Sequence, residues 1–177
     1  MKQISGDLIK LFKRGEFDVI IHGCNCGNNM GAGIAKTIRD EFPMAYAVDF
    51  ATTPWDESKM GDITFALVST NSELGTGVVV NAYTQYRWYG VGRQGGPLVE
   101  YDALRSCFEK VRERFGGKSL RFGVPAIGAA RAGGDWGIIS KIIDEVMEGE
   151  DITFVEYDGF DPRGDYRRYM SKENWYE

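Results

Sequence analysis

Apolar positions along the chain fall into short runs that alternate between two periods. Asp18-Val19-Ile20-Ile21-His22 is β-branched and runs into a Gly/Asn-rich loop, which reads as a buried strand. Ala32, Ile34, Ala35, Ile38 and Phe42 then recur at helical spacing, predicting a helix over 32–42 that Pro43 stops. Residues 44–51 predict a second, shorter helix. The runs 64–69 and 78–83 read as strands with 71–77 as their turn. Pro97 opens a periodic stretch, Leu98, Tyr101, Leu104, Phe108 and Val111, that predicts a helix ending near Gly116-Gly117. Residues 120–125 form the next strand. A helix over 136–147 follows, with Ile138, Ile139, Ile142, Ile143 and Val146 inward, and 152–155 is the last strand.

Strands alternating with helices predict an α/β fold, a three-layer α/β/α sandwich around a central mixed sheet. With 177 residues and no linker or repeat, one domain is expected over 1–159. Residues 160–177 have no clear period and form a tail that either docks on the core or stays mobile.

Composition narrows the function classes. A 43% hydrophobic and 27% charged chain is that of an ordinary globular protein. A net charge of −5 disfavours generic binding to a nucleic-acid backbone. No run reaches a membrane span, and Met1-Lys2-Gln3-Ile4-Ser5-Gly6-Asp7 has no signal-peptide core, so no membrane partner is expected. Three cysteines, two of them in Cys24-Asn25-Cys26, do not make a disulfide framework, and the compartment reads as reducing and cytoplasmic.

Two strand–loop–helix junctions carry the candidate chemistry. One runs from Ile21-His22-Gly23-Cys24-Asn25 through Gly31-Ala32-Gly33-Ile34-Ala35. The other runs from Val124-Pro125-Ala126-Ile127-Gly128-Ala129-Ala130 through Arg131-Ala132-Gly133-Gly134-Asp135-Trp136. Both are nearly free of side chains, so backbone can approach a ligand, and each leads into a helix N-terminus. A matched pair at strand ends suits a pyrophosphate better than either loop alone. Gly90-Val91-Gly92-Arg93-Gln94-Gly95 matches the dinucleotide fingerprint literally, but Tyr86, Trp88, Tyr89 and Pro97 give it the wrong context, and it reads as a mobile loop lying over a ligand.

His22-Gly23-Cys24-Asn25 with Gly31-Ala32-Gly33-Ile34-Ala35, Gly6-Asp7-Leu8 after the first strand, and Pro125-Ala126-Ile127-Gly128 through Trp136 together resemble the macrodomain family, over roughly residues 1 to 157. The resemblance implies a site for ADP-ribose or ADP-ribose-1″-phosphate, with no cofactor and no metal. It implies that Asp7 accepts from the adenine amino group, with the Leu8 backbone beside the ring and Tyr157 or Phe160 stacked on it. It implies that Asn25 holds the distal ribose and that Gly23, Cys24, Gly31, Ala32, Gly33 and Ile34 surround it and the phosphates. Gly128, Ala129, Ala130, Arg131, Ala132 and Gly133 would wrap the diphosphate, and Thr84 joins the ligand-binding set.

The His-Gly-Cys-Asn-Cys run is similar to that of the ADP-ribose-1″-phosphate phosphatase branch, which makes His22, with Asn25, the candidate catalytic pair, His22 as acid/base or nucleophile. Branches that cleave ADP-ribose from carboxylates or DNA use a lysine where this chain has Gln85, and one carries an aspartate at Ala132. A hydrolase of ADP-ribose-1″-phosphate therefore leads. A non-catalytic ADP-ribose reader and a glycohydrolase acting on ADP-ribosylated substrates or NAD-derived nucleotides stay open. His22, Cys24 and Cys26 fall short of a closed metal set and read as buried small residues, with a His22–Cys24 nucleophile pair kept open. Glu100, Asp102 and Glu109 read as a solvated helix face.

Overall fold

The computed structural model describes residues 1–159. The elements run β1 (Lys2–Gly6), α1 (Leu8–Lys13), β2 (Val19–Cys24), α2 (Gly33–Glu41), α3 (Pro43–Phe50) and a 3₁₀ turn (Glu57–Lys59). They continue with β3 (Ile63–Ser69), β4 (Thr76–Tyr83), α4 (Tyr101–Phe115), β5 (Arg121–Val124), α5 (Trp136–Val146) and β6 (Asp151–Tyr157).

The six strands form one sheet in the order β1-β6-β5-β2-β4-β3. Every neighbouring pair is parallel except β3–β4, so the sheet is mixed and five carboxyl ends share one edge. Strand residues alternate between faces, and helices cover both. Val19, Ile21, Phe122, Val124 and Phe154 pack under α4 and α5. Ile20, Val79, Ala66 and Val155 pack under α1, α2 and α3. Leu104, Phe108 and Val111 of α4 are fully buried, and each such side chain contributes about 1.5–3 kcal/mol. Among the described residues no helix is long and apolar enough to cross a membrane.

Several expectations are corrected. The helix after Pro97 starts at Tyr101, because Val99 is held extended: it bridges Gln85 and its N–H donates to the Ala132 carbonyl. Ile138 is 46% exposed; it lies roughly 100° around the helix from Ile139, outside the buried stripe of Ile139, Ile142 and Ile143. Glu100 is no solvated residue: its side chain is 12% exposed and pairs with Arg93. The six-residue α1 is too short to show a period and is set by Asp7, whose carboxylate accepts from the Lys10 N–H.

Candidate functional site

Because β1, β6, β5, β2 and β4 run parallel, the segments that follow them emerge at one edge. That edge gathers Asp7, Tyr157, the 125–135 loop, the 25–32 loop and Thr84. The two glycine-rich loops leave adjacent strands, β5 and β2, and they touch. A Cβ built on Gly33 would lie 3.4 Å from Arg131 Nε, and one on Gly23 would lie 2.9 Å from Thr84 Oγ1 and 3.4 Å from Ile127 Cγ1. In open α/β sheets the crevice outside the carboxyl ends is where ligands bind.

The first loop is held rigid from within and from below. Asn25 Oδ1 accepts from Gly27 N at 2.9 Å, and its Nδ2 donates to the Asn29 carbonyl at 2.8 Å. Asn28 sits at φ 55° and is tied to α3's end by Nδ2 donating to the Thr52 carbonyl at 2.7 Å. Lys59, 7% exposed, donates to Asn28 Oδ1 at 2.6 Å and to the Cys26 carbonyl at 3.1 Å. Cys26 N and O are also bound by Tyr86 and Trp55. Replacing Lys59 by methionine keeps most of the buried stem and removes two charge-assisted bonds. We expect stability to fall by about 1–3 kcal/mol in urea unfolding, with faster exchange of the 26–29 amides.

The amides of this loop divide into two sets. Gly27 N and Gly31 N are engaged by Asn25 Oδ1 and Asn29 Oδ1, so Gly31 does not offer its amide as expected. Gly33, Ile34 and Ala35 open α2, and the N-cap Ala32 supplies no side-chain bond to them. These first-turn N–H groups have no intrahelical acceptor and carry the positive end of the helix dipole. Gly33 has φ 60°, a conformation side chains rarely adopt.

The second loop is part scaffold. Ile127 N and Ala129 N are engaged by the Pro125 and Ala126 carbonyls, and Gly134 N by that of Gly128. Ala129 and Ala132 point their methyls inward, at 0% and 5% exposure. Gly128 is held as glycine twice over: its φ is 74°, and a Cβ would meet Val99 Cγ2 at 2.8 Å. Asp135 caps α5 through Ile138 N, so one donor of that helix start is already engaged by its own chain.

His22 is where the sequence reading needs its largest correction. The residue is 1% exposed, on the Ile20 face of β2 beneath α2 and α3, and its Nε2 lies 2.6 Å from Asn81 Oδ1. Asn81 uses its Nδ2 on the Ala45 carbonyl and Thr64 Oγ1, so Oδ1 is the acceptor and His22 carries its proton on Nε2. A buried chain follows: Thr64 Oγ1 lies 3.0 Å from Tyr83 OH, which donates to Asp49 Oδ1 at 2.8 Å. Burial lowers the His22 pKa to about 4, against a smaller opposing push from the Asn81 bond. The imidazole is neutral at physiological pH and walled off from the crevice, so the expected acid/base or nucleophilic role does not fit it. Cys24 Sγ lies 3.6 Å from the ring, but burial raises its thiol well above the ordinary value, which disfavours the thiolate a nucleophile needs. Burial likewise lifts the Cys26 thiol to about 11.

The other expected residues are placed as follows. Leu8 and Cys24 are core residues, Ile34 is half-buried, and Gly23 forms the crevice floor. Ala32 is exposed at the mouth, while Gly133 and Ala130 are half-buried in the second loop. Tyr157 is 43% exposed at the end of β6. Phe160 lies outside the described residues, as does the 160–177 tail. Thr84 is fully buried, and among the described residues its Oγ1 has no hydrogen-bond partner. Gln85 donates to the Arg87 carbonyl at 2.8 Å. The 90–95 segment is a compact turn closed by Gly92 N to the Gly96 carbonyl and Gly95 N to the Gly92 carbonyl.

With this geometry in view, the fold is that of the macrodomains. The chain is 33% identical over 162 residues to an uncharacterized 17.5 kDa protein of enterobacteria phage T4, covering 89% of this chain and 97% of that one. It is 41% identical over 46 residues to an ADP-ribose 1″-phosphate phosphatase of Neosartorya fischeri, 26% of this chain and 22% of that protein. Among solved structures, a protein of unknown function from Bacteroides thetaiotaomicron superposes with a TM-score of 0.73 at 25% identity, covering 88% and 96% of the two chains. The macrodomain of Thermus aquaticus DarG gives 0.64 at 17% identity, covering 89% and 97%. Thermosipho africanus DarTG in complex with ADP-ribose gives 0.65 at 16%, covering 91% of this chain and 43% of that one. No family model matches the chain.

Proposed function

We propose that this protein binds ADP-ribose along the carboxyl edge of its sheet. Adenine lies between Asp7 and Tyr157, the diphosphate crosses the start of α2 and the 128–133 loop, and the distal ribose rests on Asn25 and the first loop, above Thr84. The observation that carries this reading is the uncapped first turn of α2, Gly33 to Ala35, meeting the second loop at Arg131. Backbone donors at a helix start hold an anion without a cationic surface, which suits a chain of net charge −5. Asn25 has one amide hydrogen and one lone pair beyond its loop bonds for ribose hydroxyls. The ADP-ribose complex of Thermosipho africanus DarTG supports the same ligand class.

A second reading, hydrolysis of ADP-ribose-1″-phosphate, is favoured by the 46-residue stretch similar to the fungal phosphatase. Its chemistry would rest on main-chain amides stabilising the equatorial phosphoryl oxygens and on an attacking water, with His22 outside the reaction. Lysine-dependent cleavage has no support at Gln85 or Ala132. Calorimetric titration of ADP-ribose, with phosphate release from ADP-ribose-1″-phosphate assayed in parallel, tests both. Binding with release supports the hydrolase; binding alone leaves a reader; no binding refutes the proposal.

A further inference from the structure

The segment after β4 carries an aromatic cluster that the ADP-ribose reading leaves unused. Trp88 and Tyr89 are 44% and 57% exposed. Trp55 stacks on Trp88 with centroids 5.2 Å apart and planes at 26°. Tyr89 meets Trp88 edge-on, at 5.4 Å and 79°. The two exposed rings thus form a corner, one wall at a right angle to the other.

This corner adjoins the site. A Cβ on Gly27 would lie 2.6 Å from ring atoms of both Trp55 and Trp88, so the cluster rests directly on the first loop. Tyr86 OH donates to the Trp55 carbonyl at 2.8 Å, and the Arg93 guanidinium lies 4.9 Å from the Tyr86 ring while paired with Glu100 and Glu57. These contacts fix the platform in place. The strand order puts Asp7 and Tyr157 at the β1–β6 end and the cluster beyond β2 and β4. A ligand with adenine at the first end therefore presents C1″ of its distal ribose to the second, roughly four strand spacings or 19 Å away.

We propose that Trp88 and Tyr89 receive a planar nitrogen heterocycle carried on that ribose, so that an intact nicotinamide dinucleotide binds better than ADP-ribose alone. The inference rests on the ADP-ribose reading of the crevice. Flat aromatic faces stack on heterocycles and attract a ring that bears positive charge, as the pyridinium of the oxidised dinucleotide does. A net charge of −5 disfavours the polyanionic strand that a nucleic-acid base would bring with it, and points to a free dinucleotide.

The test is calorimetric titration of ADP-ribose and of oxidised nicotinamide adenine dinucleotide into the wild type, Trp88→Ala, Trp88→Phe and Tyr89→Ala. The wild type is expected to bind the dinucleotide about tenfold tighter than ADP-ribose. Trp88→Ala and Tyr89→Ala bring that ratio close to one while ADP-ribose affinity holds within about twofold, and Trp88→Phe keeps most of it. Tyr89→Ala removes an exposed ring and keeps the test valid if Trp88→Ala disturbs the loop. Equal or weaker dinucleotide binding beside intact ADP-ribose binding overturns the inference alone, as does a ratio that survives both alanine variants. Loss of ADP-ribose binding itself overturns the crevice reading as well. An ADP-ribosylated oligonucleotide that shows the Trp88-dependent gain in the dinucleotide's place overturns the assignment to a free dinucleotide.

Discussion

Gly33→Val is expected to lower ADP-ribose affinity by about a hundredfold or more while leaving the protein folded. The substitution acts in three ways. Gly33 sits at φ 60°, where a β-branched residue is strained by about 1–3 kcal/mol, so the first turn of α2 relaxes away from its geometry. The new side chain enters the space 3.4 Å from Arg131 Nε, where the two loops meet. The displaced amides of Gly33 and Ile34 are the donors proposed for the diphosphate. Two hydrogen bonds to a charged group, at about 1.5–3 kcal/mol each, account for a loss of that size. Calorimetry gives the affinity and a thermal melt the fold. A folded variant with wild-type affinity would remove the α2 start from the site.

The second large effect concerns His22 and acid. An unfolded histidine takes its proton near 6.5, and this one in the folded chain only at about 4. Between those values the unfolded state binds more protons, so stability rises with pH across the window and is lost as pH falls through it. Urea unfolding should show a loss on the order of 3 kcal/mol between pH 7 and pH 4 beyond that of His22→Gln. Glutamine retains a donor for Asn81 but does not titrate. The same variant decides the catalytic question. A general acid would leave a deficit of about 10²–10⁴ in turnover, whereas a structural imidazole leaves ADP-ribose affinity, and any phosphate release, within about threefold.

The fold was legible because both of its sheet faces are covered. Buried runs such as 18–22 and 78–83 read as strands without alternation, and Pro43 and Gly116 marked helix ends. What stayed hidden was set by distant contacts. Val99 is extended because Ala132 and Gln85 hold it, which no local period reveals. Ile138 misled because a run of isoleucines around a helix does not say where the buried stripe stops.

The candidate site was half legible. Residues lacking side chains marked the two loops, and the strand order brought them together. The same paucity of side chains hid which amides were already engaged, as at Gly31 and Ala129. His22 looked chemical because it opens the His-Gly-Cys-Asn-Cys run into the first loop, yet it still lies in β2, where successive residues face opposite ways, and its side points into the core. Lys59, Asn28 and Trp55 were missed altogether. A lysine is ordinarily exposed, so a buried one that braces a loop more than thirty residues earlier leaves no local trace.

The most direct test of the main-chain grip is an amide-resolved ¹⁵N titration with ADP-ribose. The largest shifts are expected at Gly33, Ile34 and Ala35 and at Ala130 and Gly133, with the His22 and Asn81 amides little moved. Saturable binding whose shifts fall elsewhere, with those five amides unperturbed, would contradict the account.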